Sequence, residues 1–362
     1  MITRSAGTIA LMLVLGLAAV AAPEITVDAD TYDFGTILEG FAVEHTFVLT
    51  NVGDETLTIE TVRATCGCTT TKLATDVLEP GESVELRAVV GTTGFGGQTI
   101  SKQIYVYSND PRFAEDDGPD RLVLRITGTV LRAEAYHITN EDLYYISILL
   151  IDLRSEEAFA TGHLIGALNL PAEDLLDSAA SLPKGNVIVL YDATGTLSNS
   201  IIEGLIGTGL PLARTLSGGL AAWVQAYGAQ YLYPEPADLD YGEPVAATLT
   251  GTWIDPTPLE SAFSILVDLR SAEAFGAGHL IGATNLPLET VSDKGFVTDL
   301  ALLLGDLPKE ATIIVYDQDG AKSDDVAQLL IAAGYRNAKS LLGGLDEWAH
   351  IYGDQLIWAD DS

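Results

Sequence analysis

The sequence predicts three domains, a β-sandwich followed by two α/β domains with central parallel sheets. Three observations carry that expectation. Residues from about 23 to 132 alternate apolar and polar side chains between turn signals. From about 135 the pattern changes to strand then helix, the rhythm of a parallel sheet with crossover helices. That latter part also contains one long segment twice. A chain of 362 residues is long for one ordinary core and suits two or three.

The first element is a leader. Arg4 precedes an apolar run from Ile9 to Ala19, and Ala19-Val20-Ala21 supplies the small residues that a signal peptidase needs. We therefore expect a signal peptide over 1–21 and an exported protein, periplasmic or extracellular, with an uncleaved anchor as the alternative. The run is short for a membrane span, and no other stretch approaches one, so no membrane insertion is expected after cleavage.

The second element covers 22–132. Val84, Leu86, Ala88 and Val90 alternate with Glu85, Arg87 and Val89, and Leu122, Leu124 and Ile126 alternate with Val123 and Arg125. That is the period of strands with one buried face. Asn51-Val52-Gly53-Asp54, Pro80-Gly81, Gly96-Gly97 and Asn109-Asp110-Pro111 mark the turns, and short strands at this spacing indicate a sandwich. The acidic stretch Glu115 to Asp120 reads as a solvated loop.

Cys66 and Cys68 are the chain's two cysteines. A single intervening residue makes a strained ring if they pair, so cysteine is not expected to hold the protein together. As thiols in a loop they are a candidate Cu(I) site or redox pair. Two thiolates alone leave a zinc site incomplete.

The third and fourth elements are the repeated unit, at 135–232 and 252–358, with a Pro-containing linker over 233–251. Ile151-Asp152-Leu153-Arg154-Ser155, Gly162-His163-Leu164-Ile165-Gly166-Ala167 and Asn169-Leu170-Pro171 recur from Val267 to Pro287. Leu182-Pro183, Tyr191-Asp192, Gly218-Gly219-Leu220 and Trp223 recur as Leu307-Pro308, Tyr316-Asp317, Gly343-Gly344-Leu345 and Trp348.

Asp-Leu-Arg at a strand end, Gly-His-x-x-Gly-Ala-x-Asn-x-Pro, an apolar strand ending in Tyr, and Gly-Gly-x-x-x-Trp come in one order in both copies. The unit resembles the rhodanese, or sulfurtransferase, domain. The resemblance implies a loop after the Tyr-ending strand that cradles sulfur, opened by a nucleophilic cysteine and often closed by an arginine. Here Asp192 and Asp317 stand at the cysteine position. A polarizable thiolate is needed to attack and release sulfane sulfur, and a carboxylate cannot hold a persulfide. Both loops are thus expected to be degenerate, at Asp192, Gly195 and Leu197 in the first and Asp317, Gly320 and Lys322 in the second. At a helix N-terminus each aspartate is expected to fill the nest of backbone N–H groups as a built-in anion. Leu197 replaces the closing arginine, whereas Lys322 retains a cation, so the second loop is the better candidate for an anion. His163, His279, Asp152, Arg154, Asp268 and Arg270 read as scaffolding, and Trp223 and Trp348 as core.

The first domain has its own resemblance, through Thr65-Cys66-Gly67-Cys68-Thr69, Asn51-Val52-Gly53, Pro80-Gly81-Glu82 and Ser108-Asn109-Asp110-Pro111. It is similar to a bacterial Ig-like domain of unknown function (DUF1573), which carries no established reaction.

Composition narrows the partners. Apolar residues make up 48% and charged residues 19%, as in globular chains. The 51 acidic against 18 basic side chains give a net charge of −33 at pH 7, which repels nucleic acid and anionic membranes. The expected function is a non-catalytic binding or scaffold protein of the cell envelope, meeting an unidentified protein partner or a small anion and using no cofactor. The alternative is sulfur or thiol handling by Cys66 and Cys68. A minor alternative comes from Asp317-Gln318-Asp319-Gly320, which also looks like the entrance of Mg²⁺-dependent aspartate-nucleophile phosphatases.

Overall fold

A computed structural model describes residues 21–113, 120–288, 300, 305 and 307–359. Residues 1–20 of the signal peptide expected over 1–21, and residues 115–119 of the acidic stretch Glu115 to Asp120, lie outside the described residues.

The N-terminal part is β-rich, with strands β1 (Ile25–Val27), β2 (Thr31–Leu38), β3 (Val43–Asn51), β4 (Leu57–Ala64), β5 (Thr69–Leu73), β6 (Val77–Leu78), β7 (Ser83–Val90), β8 (Gln98–Ser108) and β9 (Leu122–Leu131). They form a four-stranded sheet, β1-β3-β7-β5, and a five-stranded sheet, β2-β9-β8-β4-β6. Phe47 pairs with Leu86 across β3 and β7, and both are fully buried. Val84, Leu86, Ala88 and Val90 all face the core while Glu85 and Arg87 face water, because a strand turns alternate side chains to opposite faces.

One expectation is corrected here. Cys66 and Cys68 form a disulfide. The chain turns at this point, with the Thr69 N–H donating to Cys66 O (3.3 Å), and the Cα atoms come to 5.3 Å. That separation lies in the ordinary range for a disulfide, so one intervening residue does not prevent pairing once the backbone folds back.

The C-terminal part holds two five-stranded parallel sheets. The first repeat contains β10 (His137–Ile138), α1 (Asn140–Ile146), β11 (Ile148–Asp152), α2 (Glu156–Ala160), β12 (His163–Leu164), β13 (Leu168–Asn169), α3 (Ala172–Ser178), β14 (Val187–Tyr191), α4 (Thr196–Gly207), β15 (Ala213–Leu216), α5 (Gly219–Tyr227) and β16 (Leu232–Tyr233). The second contains β17 (Trp253–Ile254), α6 (Pro256–Ala262), β18 (Ile265–Asp268), α7 (Ala272–Ala277), β19 (His279–Leu280), β20 (Ala283–Asn285), β21 (Ile313–Tyr316), α8 (Ala321–Ala332), β22 (Ala338–Leu341), α9 (Gly344–Tyr352) and β23 (Ile357–Trp358). Strands β11, β14, β18 and β21 are buried on both faces, as covered parallel sheets require.

The sheets do not follow the repeat boundaries. Their orders are β13-β11-β14-β15-β17 and β20-β18-β21-β22-β10, so each repeat gives its first strand to the other's sheet. The helices go with the strands. Leu143 of α1 packs among Leu266, Ile314 and Trp348, and Leu259 of α6 packs among Trp223, Tyr231 and Phe263. The core around Leu259 also joins Leu150 and Val189 of the first repeat to Ile265, Val267, Ile313 and Val315 of the second.

Candidate functional site

Each parallel sheet ends a central strand in a buried tyrosine and then a short loop into a helix. Glycines set the turn: Gly195 (φ 85°) precedes α4 and Gly320 (φ 89°) precedes α8, a left-handed backbone that side chains with a Cβ disfavour. The unpaired N–H groups of the helix's first turn then point back into the loop.

Aspartate occupies that concavity in both copies. Asp192 is buried, and its Oδ1 accepts from the Ser198 N–H (3.0 Å) and the Ser198 hydroxyl (2.8 Å). Its Oδ2 accepts from the Leu197 N–H (3.3 Å) and the Thr194 N–H (3.4 Å). Asp317 is buried likewise, with Oδ2 accepting from the Lys322 N–H (3.1 Å) and Oδ1 from the Ser323 N–H (3.2 Å). A carboxylate satisfying orphan donors at the positive end of a helix dipole is a stable arrangement. It leaves no room in the nest for a second anion on the same donors.

The Gly-Gly pair supports the loop from below, a role the sequence did not disclose. A Cβ on Gly219 would lie 2.4 Å from Asp192 O and 2.5 Å from Gly195 N, and one on Gly344 would lie 2.5 Å from Asp317 O. Only glycine admits this close approach. The Leu220 and Ala221 N–H groups donate to the carbonyls of Asp192 and Ala193, and Leu345 and Asp346 do the same to Asp317 and Gln318.

Beside each loop lies a buried ion pair. Arg154 clamps Asp152 through Nε and Nη2 and also donates to Gly162 O (2.8 Å), and Arg270 treats Asp268 and Gly278 O alike. Burial works against the charge of Arg154, but the Asp152 carboxylate outweighs it and raises the guanidinium pKa. Tyr191 and Tyr316 receive the Leu164 and Leu280 N–H groups on their hydroxyl oxygens, and burial pushes both phenols well up. His163 stacks on Phe159 at 3.5 Å between ring centroids, with Nδ1 3.0 Å from Phe159 O, and His279 stacks on Phe275. Trp223 and Trp348 are fully buried, each indole N–H donating to a backbone carbonyl.

The two loops differ in their surroundings. Over the first lies the segment joining the repeats: the Val245 N–H donates to Thr194 O (2.8 Å) and Asn199 Nδ2 to Val245 O (3.3 Å). The Tyr241 ring receives the Arg154 guanidinium, 5.6 Å from its centroid. Nothing in the composition of 233–251 announced this contact, since the bonds are to backbone atoms. Leu197 is partly exposed. In the second loop Lys322 is exposed and its Nζ donates to Leu288 O (3.2 Å). Among the described residues no group of three or more His, Cys, Asp or Glu gathers as a metal site. Cys66 and Cys68 are joined to each other, so neither offers a thiolate in this form.

Two such loops, each closing a parallel sheet and braced by Asp-Arg and Gly-Gly, occur where the family model for the rhodanese-like domain matches, at residues 135–226 and 257–351. The chain belongs to the rhodanese-like family. Residues 25–130 match DUF1573, a protein family of unknown function. A thiosulfate sulfurtransferase GlpE from Pseudomonas entomophila is 31% identical over 94 residues, 26% of this chain and 78% of that protein. The adenylyltransferase and sulfurtransferase UBA4 of Candida albicans is 34% identical over 85 residues, 24% of this chain and 19% of that protein. A solved thiosulfate sulfurtransferase from Pseudomonas aeruginosa is 22% identical, covering 59% of this chain and 42% of its own, with a TM-score of 0.23. This rhodanese-like pair thus has sulfurtransferases among its relatives, and in both of its loops the nest is filled by a carboxylate.

Proposed function

We propose that the chain is an exported, non-catalytic binding or scaffold protein of the cell envelope. In this reading an Ig-like β-sandwich precedes two rhodanese-like domains that have lost the nucleophile. The observation that carries it is the seating of Asp192 and Asp317: each carboxylate takes up the helix N–H groups around which sulfur chemistry would be organised. A carboxylate holds no persulfide. The four- and five-stranded sheets with alternating burial suit a sandwich. The apolar run Ile9 to Ala19 and the small residues after it support export. The partner is a protein or a small anion; with the backbone donors of both nests taken by carboxylates, the exposed Lys322 side chain is what makes the second loop the better place for an anion. The net charge of −33 argues against nucleic acid.

A thiosulfate:cyanide sulfurtransferase assay tests this on wild type, Asp317→Cys and Asp192→Cys. The wild type is expected to be silent and Asp317→Cys to gain activity. Asp192→Cys is expected to stay silent, because Val245 and Asn199 tie the inter-repeat segment over that loop. Wild-type activity that disappears in Cys66→Ser would sink the proposal.

That last outcome belongs to a second reading, thiol or sulfur handling by Cys66 and Cys68, which their pairing at a half-buried turn supports. Reduction would free two soft ligands for Cu(I). The reading expects one Cu(I) per chain under reducing conditions, lost in Cys66→Ser. The phosphatase alternative fares worse, since backbone N–H groups occupy both oxygens of Asp317, and one donates to Asp319 Oδ1. It would return if Mg²⁺-dependent phosphatase activity were found and Asp317→Asn abolished it.

A further inference from the structure

A disulfide that stabilises a fold ties distant parts of the chain, because the entropy it removes from the unfolded state grows with the loop it closes. The bond between Cys66 and Cys68 closes over a single residue. It sits in the turn between β4, which ends at Ala64, and β5, which begins at Thr69. A cross-link there restrains little of the chain, so its chemistry is the better reason for it.

The ring is open to reagents. Both cysteines are half-buried, while Gly67 between them is exposed with nothing within 4 Å of where its Cβ would stand. The turn itself is held to β8, the Thr65 N–H donating to Gln103 O (3.0 Å) and the Gln103 N–H to Thr65 Oγ1 (3.2 Å). Strand β5, which leaves the ring, is the outer strand of its sheet. An outer strand offers main-chain groups to an extended peptide.

The two sulfurs are not equivalent. The Thr69 hydroxyl lies 3.3 Å from Cys66 Sγ and 3.8 Å from Cys68 Sγ. Thr69 is 7% exposed and its backbone pairs with Val90, which holds the hydroxyl in place. Sulfurs joined in a disulfide carry no proton, so the hydroxyl is the donor. It favours negative charge on Cys66, and the sulfur that leaves more readily as a thiolate decides which one is attacked.

The local charge is also unlike the rest of the chain. Residues 61–75 contain no Asp or Glu in a sequence that has 51, and Arg63 and Lys72, both exposed, flank the ring. Strand β8 adds Lys102 and has no acid either. Cations favour the thiolate over the thiol, in an arriving partner as in a leaving cysteine.

We propose that the Cys66–Cys68 disulfide is a thiol–disulfide exchange site that oxidises a pair of cysteines in a peptide or protein partner. The inference rests on the thiol-handling reading of these cysteines and asks nothing of the two Asp loops. One partner thiolate attacks Cys68 Sγ, the bond to Cys66 breaks, and Cys66 leaves as a thiolate that accepts the Thr69 hydroxyl. The second partner thiolate then attacks the partner's own sulfur in the mixed disulfide and releases Cys68. The partner gains a disulfide and gives up two electrons and two protons, and Cys66 and Cys68 become thiols. Both attacking thiols belong to the partner, since the sequence has no third cysteine.

The probe is a reduced Cys-Gly-Gly-Cys peptide mixed with the oxidised full chain at pH 7 and followed by mass spectrometry after alkylation. One peptide disulfide per chain is expected, formed at least about tenfold faster than with oxidised glutathione as the disulfide. With reduced glutathione as a one-thiol probe, alkylation should find glutathione on Cys68 and the alkyl group on Cys66. Thr69→Val should slow the exchange by about three- to tenfold, the worth of one hydrogen bond, and Thr69→Ser should restore it. A peptide left reduced, or oxidised no faster than by oxidised glutathione, would overturn the proposal. Glutathione on Cys66, or an unchanged rate in Thr69→Val, would refute Cys66 as the leaving sulfur. Binding of one Cu(I) by the reduced chain without exchange would remove this proposal and leave the thiol-handling reading standing, whereas failure of both would end both.

Discussion

Asp192 and Ser198 are joined twice, the serine's N–H and hydroxyl both donating to one carboxylate oxygen at 3.0 and 2.8 Å. The second repeat keeps the backbone half of that bond, from Ser323 to Asp317, while the Ser323 hydroxyl turns to Ser340 instead (2.9 Å). The aspartate is therefore a structural member of its loop, and removing it should be felt as lost stability. Asp192→Ala strands several buried donors at the start of α4 and is expected to cost about 1–3 kcal/mol. Urea unfolding of the two proteins at pH 7 measures it. A cost near zero would show that the nest does not depend on the carboxylate.

Gly219→Ala should be more damaging than most glycine replacements. The added methyl would meet Asp192 O and Gly195 N within 2.5 Å, at a residue whose φ is 55°. We expect a loss of roughly 2–4 kcal/mol. Gly204→Ala, within α4 and with nothing in reach of its Cβ, is the control and should gain about 0.5–1 kcal/mol. Thermal unfolding of both variants ranks them.

Acidification should weaken the tandem unit before its carboxylates titrate. Burial lowers the pKa of His163 below its ordinary 6.5. The unfolded chain then takes up a proton near that value which the folded chain refuses, so stability is present above it and declines as pH falls through about 6.5. His163→Gln should flatten the decline between about pH 7.5 and 5.5, as read from denaturation midpoints. His45 is also lowered by burial, and any remaining slope in the β-rich part belongs to it.

The exchanged strands make the two repeats one folding unit. Leu143 lies in the first repeat by sequence but in the second repeat's core by contact, and Leu143→Ala should cost about 2–5 kcal/mol. Hydrogen exchange should report the loss in α8 and α9 rather than in α4 alone. Cleavage at a protease site placed in the exposed Asp238–Asp240 stretch should leave the halves together on a sizing column. Separation of the cut halves would refute the interdependence.

Much of this was legible in the chain itself. The alternation through Val84 to Val90 gave the buried face of β7, since a strand's period is local. The repeated Tyr-Asp-x-x-Gly placed both loops and named Asp192 and Asp317, because a turn into a helix demands glycine at a fixed offset and the nest rewards an anion. The duplicated Asp-Leu-Arg and Gly-Gly-x-x-x-Trp identified the family for the same reason, each being a short-range geometric requirement.

Tertiary structure decided the rest. Strands β10 and β17 are two residues long, and no local preference says which sheet completes them; that choice rests on Leu143 and Leu259 finding the other repeat's core. The pairing of Cys66 with Cys68 depended on a turn that brings their Cα atoms to 5.3 Å, not on their spacing alone. Val245 reached the first loop through backbone hydrogen bonds, which carry no side-chain signature. Packing is a property of neighbours brought together from distant parts of the chain, and no single residue announces it.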